Sequence, residues 1–89
     1  MLTIYRYTLS NQSAQWIKLP LGAQLLTVKL QHNVVCLWAM VDTSVIKTEM
    51  REIEMLLTGE EIELPYRRHY LGTVLINNGE FVFHYFERF

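Results

Sequence analysis

The stretch Tyr70-Leu-Gly-Thr-Val-Leu-Ile-Asn-Asn-Gly-Glu-Phe-Val-Phe-His-Tyr-Phe86 decides how this chain folds. Two apolar runs flank Asn78-Gly79, the dipeptide that best tolerates the positive φ angles of a two-residue hairpin turn. Folding about that turn sets Ile76 opposite Phe81, Val74 opposite Phe83 and Gly72 opposite Tyr85 on one face. On the other face Leu75 meets Val82, Thr73 meets His84 and Leu71 meets Phe86. Both faces are apolar, so the hairpin is expected to be covered on two sides. The Tyr85 ring would then shield the bare backbone of Gly72.

A second hairpin lies upstream. From Gln24 to Gln31 the chain alternates, with Leu26, Val28 and Leu30 on one side and Thr27, Lys29 and Gln31 on the other. With His32-Asn33 as the turn, Leu30 lies opposite Val35, Val28 opposite Leu37 and Leu26 opposite Ala39, a continuous core side. The other face sets Trp38 across from Thr27 and Cys36 across from Lys29. A large indole beside a polar strand face needs a cover, which makes Trp38 and Lys29 candidate partner-binding residues. Val34 to Val41 is apolar on both sides, as a central strand is.

Leu2 to Thr8 reads as a first strand, with a polar turn at Ser10-Asn11-Gln12-Ser13 and a short second strand from Gln15 to Leu19 stopped by Pro20. The segment Thr43 to Thr58 is ambiguous. Ile46, Met50, Ile53 and Leu57 have helical spacing between a possible cap at Thr43 or Ser44 and a stop at Gly59. Read with period two, Ile53, Met55 and Leu57 alternate with Glu52, Glu54 and Leu56, which suits a strand from Met50. The acidic run Glu60 to Leu64, ended by Pro65, is at best an edge strand.

Eighty-nine residues, 51% hydrophobic and 19% charged, make a single domain spanning 1–89 that is too apolar for disorder. Stability is scarce at this size, so a homo-oligomer is a plausible supplement. One cysteine, Cys36, excludes an intrachain disulfide and a Cys-rich zinc site. The longest apolar run is far short of the roughly 20 residues that span a bilayer, and the first residues lack a signal-peptide layout. No membrane association is expected. With a formal net charge of −1 and interspersed signs, nucleic acid is not an expected partner either.

His84 is the polar residue in the most apolar company. It is a base in a pocket or, more simply, a core histidine satisfied by Thr73 across the strand pair. His32 and His69 have no ligand at metal-site spacing, so no metal and no cofactor is expected. Tyr66-Arg67-Arg68-His69-Tyr70 is the basic-aromatic cluster. Tyr66, Arg67, Arg68 and His69 could clamp a phosphate, extended by Arg6 if the first strand lies nearby; a solvated loop is the simpler reading. Cys36 has no base beside it and reads as an inert buried thiol. Asp42 reads as a turn or cap residue. No phosphate-binding glycine loop, nucleophile elbow or zinc signature is present.

Several runs together resemble an uncharacterised family of small bacteriophage and prophage proteins. They are Ile4-Tyr5-Arg6-Tyr7, Leu19-Pro20-Leu21-Gly22-Ala23, Cys36-Leu37-Trp38-Ala39 with Val41-Asp42, Thr58-Gly59, Tyr70-Leu71-Gly72-Thr73 and Phe81-Val82-Phe83-His84-Tyr85-Phe86-Glu87. The resemblance implies a phage or prophage origin, a cytoplasmic site of action in the bacterial host, and a strand rather than a helix over Met50 to Leu57. It supplies no catalytic residues.

The expectation is therefore an all-β fold, a small antiparallel barrel or sandwich of six or seven short strands, with an α+β alternative carrying one helix near 44–57. The expected function is non-catalytic binding of a host protein, in host takeover or counter-defence. The alternatives are a sponge for a small phosphate-containing nucleotide signal, an enzyme built around His84, and a structural, oligomeric phage component.

Overall fold

In the computed structural model, which describes residues 1–89, Asn78 and Gly79 both take positive φ, 55° and 86°. The chain doubles back there between β6 (Arg68–Ile76) and β7 (Phe81–Arg88). His32 and Asn33 do the same, with φ of 51° and 63°, between β3 (Gln24–Gln31) and β4 (Val34–Asp42). Positive φ at both central residues matches the turn's twist to that of the flanking strands. The remaining strands are β1 (Leu2–Thr8), β2 (Ala14–Pro20) and β5 (Thr48–Leu57), and there is no helix.

All seven strands are antiparallel, in a three-stranded sheet of order β1-β4-β3 and a four-stranded sheet of order β2-β5-β7-β6. The two sheets form a sandwich; they do not close into a barrel. Each hairpin belongs to a different sheet, and β4, apolar on both sides, is the centre of the smaller one. One core layer lies between them, built around Leu19, Leu25, Val28, Leu37, Val41, Ile53, Val74 and Tyr85. The Cα envelope measures 41 × 34 × 16 Å, so the slab is thin and many large apolar side chains remain at its surface.

Much of the expected register is present. Leu30 pairs with Val35, Val28 with Leu37, Thr27 with Trp38 and Lys29 with Cys36. In the last hairpin Ile76 pairs with Phe81, Val74 with Phe83, Gly72 with Tyr85 and Thr73 with His84. Two bulges break the alternation. Between Leu25 and Thr27 an extra residue shifts β3, so Leu25 faces Ala39 in place of Leu26. Leu25 is 3% exposed and Leu26 38%, the reverse of the simple alternation. Between Tyr70 and Gly72 a second irregularity puts Tyr70, not Leu71, opposite Phe86 and turns Leu71 into the core.

The strand expected over Met50 to Leu57 is present within β5, and the helical alternative in 44–57 is not used: Ile46 is 94% exposed and Ile53 is buried, because β5 pairs with β2 on one side and β7 on the other. Two further expectations are corrected. Glu60 to Leu64 forms no strand. It leaves β5 in a turn held by Glu60, whose N–H donates to the Leu57 carbonyl (3.0 Å) and whose Oε1 accepts from the Leu57 N–H (3.0 Å). The last hairpin is not covered on two sides. Ile62 shares a cleft with Leu56, His84 and Phe86 on its outward face, but Leu75 and Tyr70 on that face are 56% and 54% exposed.

The sheets approach most closely where β3 passes β6, the two bulged strands. There the Thr27 hydroxyl donates to the Leu71 carbonyl (3.1 Å). A Cβ on Gly72 would lie 2.4 Å from the Val28 carbonyl oxygen. What Gly72 admits is the backbone of the facing sheet, in addition to sitting across from Tyr85.

Candidate functional site

Two outward faces carry the residues singled out from the sequence. On the four-stranded sheet, alternation places Glu52 and Glu54 of β5, Arg88 of β7 and Arg68 of β6 side by side. Arg88 forks onto Glu52, Nε to Oε1 at 3.0 Å and Nη2 to Oε2 at 2.6 Å, and its Nη1 donates to Glu54 at 3.1 Å. Arg68 donates to the same Glu54 at 2.6 and 3.3 Å. The Tyr66 ring lies 4.3 Å from the Arg88 guanidinium, a cation–π contact. Hydrogen bonds from Arg88, with its charge, hold the Glu52 carboxyl below the ordinary carboxylate range, and the same bonds raise Arg88.

The basic-aromatic cluster is accordingly dispersed. Arg68 and the face of Tyr66 are engaged within the molecule. Arg67 is exposed, its main chain exchanging hydrogen bonds with Phe89 (2.9 Å each way). His69 is exposed in the pairing position opposite Glu87. Arg6 sits on the outward face of the other sheet, so it does not join them. Glu87 belongs to a second ion pair at the end of the core, where Arg51 forks onto its carboxylate and donates to the Ala23 carbonyl at 2.8 Å. That hydrogen-bonded pairing raises Arg51.

His84 lies between two hydroxyls. Thr73 Oγ1 is 3.1 Å from Nδ1, from the cross-strand position, and Thr58 Oγ1 is 2.7 Å from Nε2, from the turn after β5. The Tyr70 hydroxyl, 2.5 Å from Thr73, extends the chain. Both ring nitrogens have partners, and no buried polar side-chain atom in the protein lacks one. No three His, Cys, Asp or Glu side chains converge as metal ligands would.

The outward face of the three-stranded sheet is different in kind. Leu2 and Ile4 of β1 and Met40 of β4 line a shallow apolar cleft, with Trp38 half-buried beside it. Arg6 pairs with Trp38 in register, but its Nη1 reaches across β4 to the Gln31 side chain on β3. Gln31 pairs with Val34, so the line between them crosses β4 at Cys36. In register Cys36 thus lies between Arg6 and Gln31, and its thiol is 1% exposed despite its outward position. Lys29 is exposed opposite Cys36, further along the sheet than the Leu2–Ile4–Met40 cleft.

A family model described as a domain of unknown function, DUF7352, matches residues 1–89. The chain belongs to the DUF7352 family. Comparison of this DUF7352 protein with curated proteins and with solved structures found no match. No helix in it is long and apolar enough to cross a membrane.

Sequence reasoning found His84 with Thr73 but missed Thr58, because a turn residue 26 positions away has no periodic relation to it. It also missed the Glu52–Arg88–Glu54–Arg68 ladder. The period-two spacing of Glu52 and Glu54 was the available signal, but only the register of β5 on β7 identifies their partner.

Proposed function

We propose that this DUF7352 protein is a non-catalytic binding protein of phage or prophage origin. It acts in the cytoplasm of a bacterial host by docking on a host protein, in host takeover or counter-defence. One observation carries the reading. Charged groups on the four-stranded sheet are engaged with one another, while Leu2, Ile4 and Met40 form an uncovered apolar cleft beside Trp38 on the opposite face. Contiguous exposed apolar surface is the usual mark of a protein-docking site. The origin rests on the runs that resemble small phage proteins. The nucleotide-sponge reading is the weaker one, since a phosphate seeking Arg68 must displace the Glu54 carboxylate.

The test is site-specific photo-crosslinking in the host cell. A benzophenone side chain at position 40 is expected to trap one discrete host protein, and Leu2→Asp in the same chain to abolish the adduct. No adduct from position 40, or an equal one from position 47 outside this face, refutes the reading.

A further inference from the structure

A sandwich of two open sheets has four edge strands, and an unprotected edge is a template for another strand. Three are managed here. The edges of β3 and β6 are bulged and turned toward each other across the Thr27–Leu71 hydrogen bond. The edge of β2 carries Lys18 and ends in Pro20. β1 has neither proline nor bulge, and its single charged residue is Arg6. That arginine does not guard the edge, because its guanidinium is drawn back across β4 to Gln31.

Two hydrogen bonds tell which backbone groups face outward. The Leu9 N–H donates to Val35, and the Met1 carbonyl accepts from Thr43, so the odd-numbered residues direct their groups toward β4. In an antiparallel ladder the even-numbered ones then point the other way. The N–H and C=O groups of Leu2, Ile4, Arg6 and Thr8 thus form the free edge.

We infer that this edge pairs with the same edge of a second copy, antiparallel, about a two-fold axis through Tyr5. Only this register uses all four outward residues: Leu2 pairs with Thr8 of the second copy and Ile4 with Arg6, giving about eight main-chain hydrogen bonds. Sliding by two residues in one direction sets Arg6 against Arg6; sliding in the other sets Thr8 against a position outside the strand, which spans Leu2–Thr8. The two-fold register meets neither fault. Tyr5, about half exposed, stacks on its symmetry mate at a close, non-hydrogen-bonded position. An identical strand also closes both free edges at once, which an unrelated peptide does not. The product is a six-stranded sheet of order β3-β4-β1-β1-β4-β3. It places the two apolar clefts on one continuous face, while the pairing itself uses the edge and leaves Trp38 and Met40 free.

The experiment is light scattering on the purified full chain at about 100 µM, where even micromolar pairing is populated. The expected mass is twice the 10.6 kDa of one chain. Ile4→Pro removes an N–H that points outward, so it leaves the β1–β4 ladder whole and should return a folded species of half the dimer mass. Amide hydrogen exchange on the unmodified protein supplies a second readout that does not depend on the variant folding: Ile4, Arg6 and Thr8 should be as protected as Tyr5. A monomer at that concentration, a dimer that survives in folded Ile4→Pro, or fast exchange at Ile4 and Arg6 overturns the inference. Because Leu2 and Ile4 belong to both cleft and edge, the two readings are separated with both residues unchanged. The mass is read on the unmodified chain and the adduct from position 40, off the edge, so a monomer that still gives the adduct and a dimer that does not are distinguishable.

Discussion

Gly72→Ala should be the most damaging single-methyl addition in this protein. The new Cβ would meet the Val28 carbonyl oxygen at 2.4 Å and two further Val28 backbone atoms at 3.3 Å. Ordinary van der Waals separation requires the oxygen to yield by about 1 Å. It cannot do so cheaply, because Val28 is fully buried and its strand is laddered to β4 through Leu37. Separating β6 from β3 instead breaks the Thr27–Leu71 hydrogen bond. Overpacking typically costs about 1–3 kcal/mol, and the bond about 1 kcal/mol more, so a loss of about 3 kcal/mol is expected. For a domain of this size that lowers Tm by roughly 12–24 °C. The assay is urea or thermal unfolding followed by circular dichroism, with Thr27→Val alone and in combination. The double variant should lose less than the sum, since the first change already breaks the bond. A loss below about 1 kcal/mol for Gly72→Ala, or full additivity with Thr27→Val, would refute the argument that the sheets join through that glycine.

Two smaller effects follow from the other contacts. Arg6→Ala should uncover Cys36, so that a thiol reagent that reacts with the unmodified protein only on unfolding reacts directly with the folded variant; unchanged labelling kinetics would show that Arg6 does not shield the thiol. In acid, Asp42 matters: hydrogen bonds from the Ser44 hydroxyl and N–H, then from the terminal ammonium, lower its pKa from 3.8 to about 2. Because the folded carboxyl binds its proton less readily than the unfolded one, its contribution is complete above pH 4 and disappears as pH falls through about 2. Ser44→Ala should raise the Asp42 midpoint toward 3.8 in a carboxyl NMR titration, and an unmoved midpoint would contradict the assignment.

The two hairpins were legible because Asn78-Gly79 and His32-Asn33 fix both turn and register through local backbone chemistry. The places where reading failed are non-local. Leu26 and Leu71 sit at bulges, which no alternation announces, since the extra residue answers to the facing sheet. Over Met50 to Leu57 the strand expectation is met, but on the resemblance and against the helical spacing of Ile46 and Ile53. Physically the strand forms because β2 and β7 claim the segment from either side, and tertiary pairing outweighs periodicity. Glu60 to Leu64 has strand-like alternation and no neighbour to pair with. For the surface residues the limit was of the same sort. Arg68 reads as a free cation until β6 sets it beside Glu54, and Trp38, half-buried with Arg6 and Thr27 as its register neighbours, asks for a cover until both flanking strands are placed.

The meeting of β3 and β6 also makes the molecule a wedge. On its narrow flank the Gly72 and Val28 backbones approach too closely for a Cβ between them. Its broad flank is filled by the side chains of Leu19, Ile53 and Val41, all fully buried. Tolerance for changes of size therefore reverses sign from one flank to the other. Adding a carbon is what injures the narrow side, and removing one is what injures the broad side, where a void would open. A library that varied residue volume across the whole chain should recover opposite preferences on the two flanks, and so trace the taper without any structure being solved.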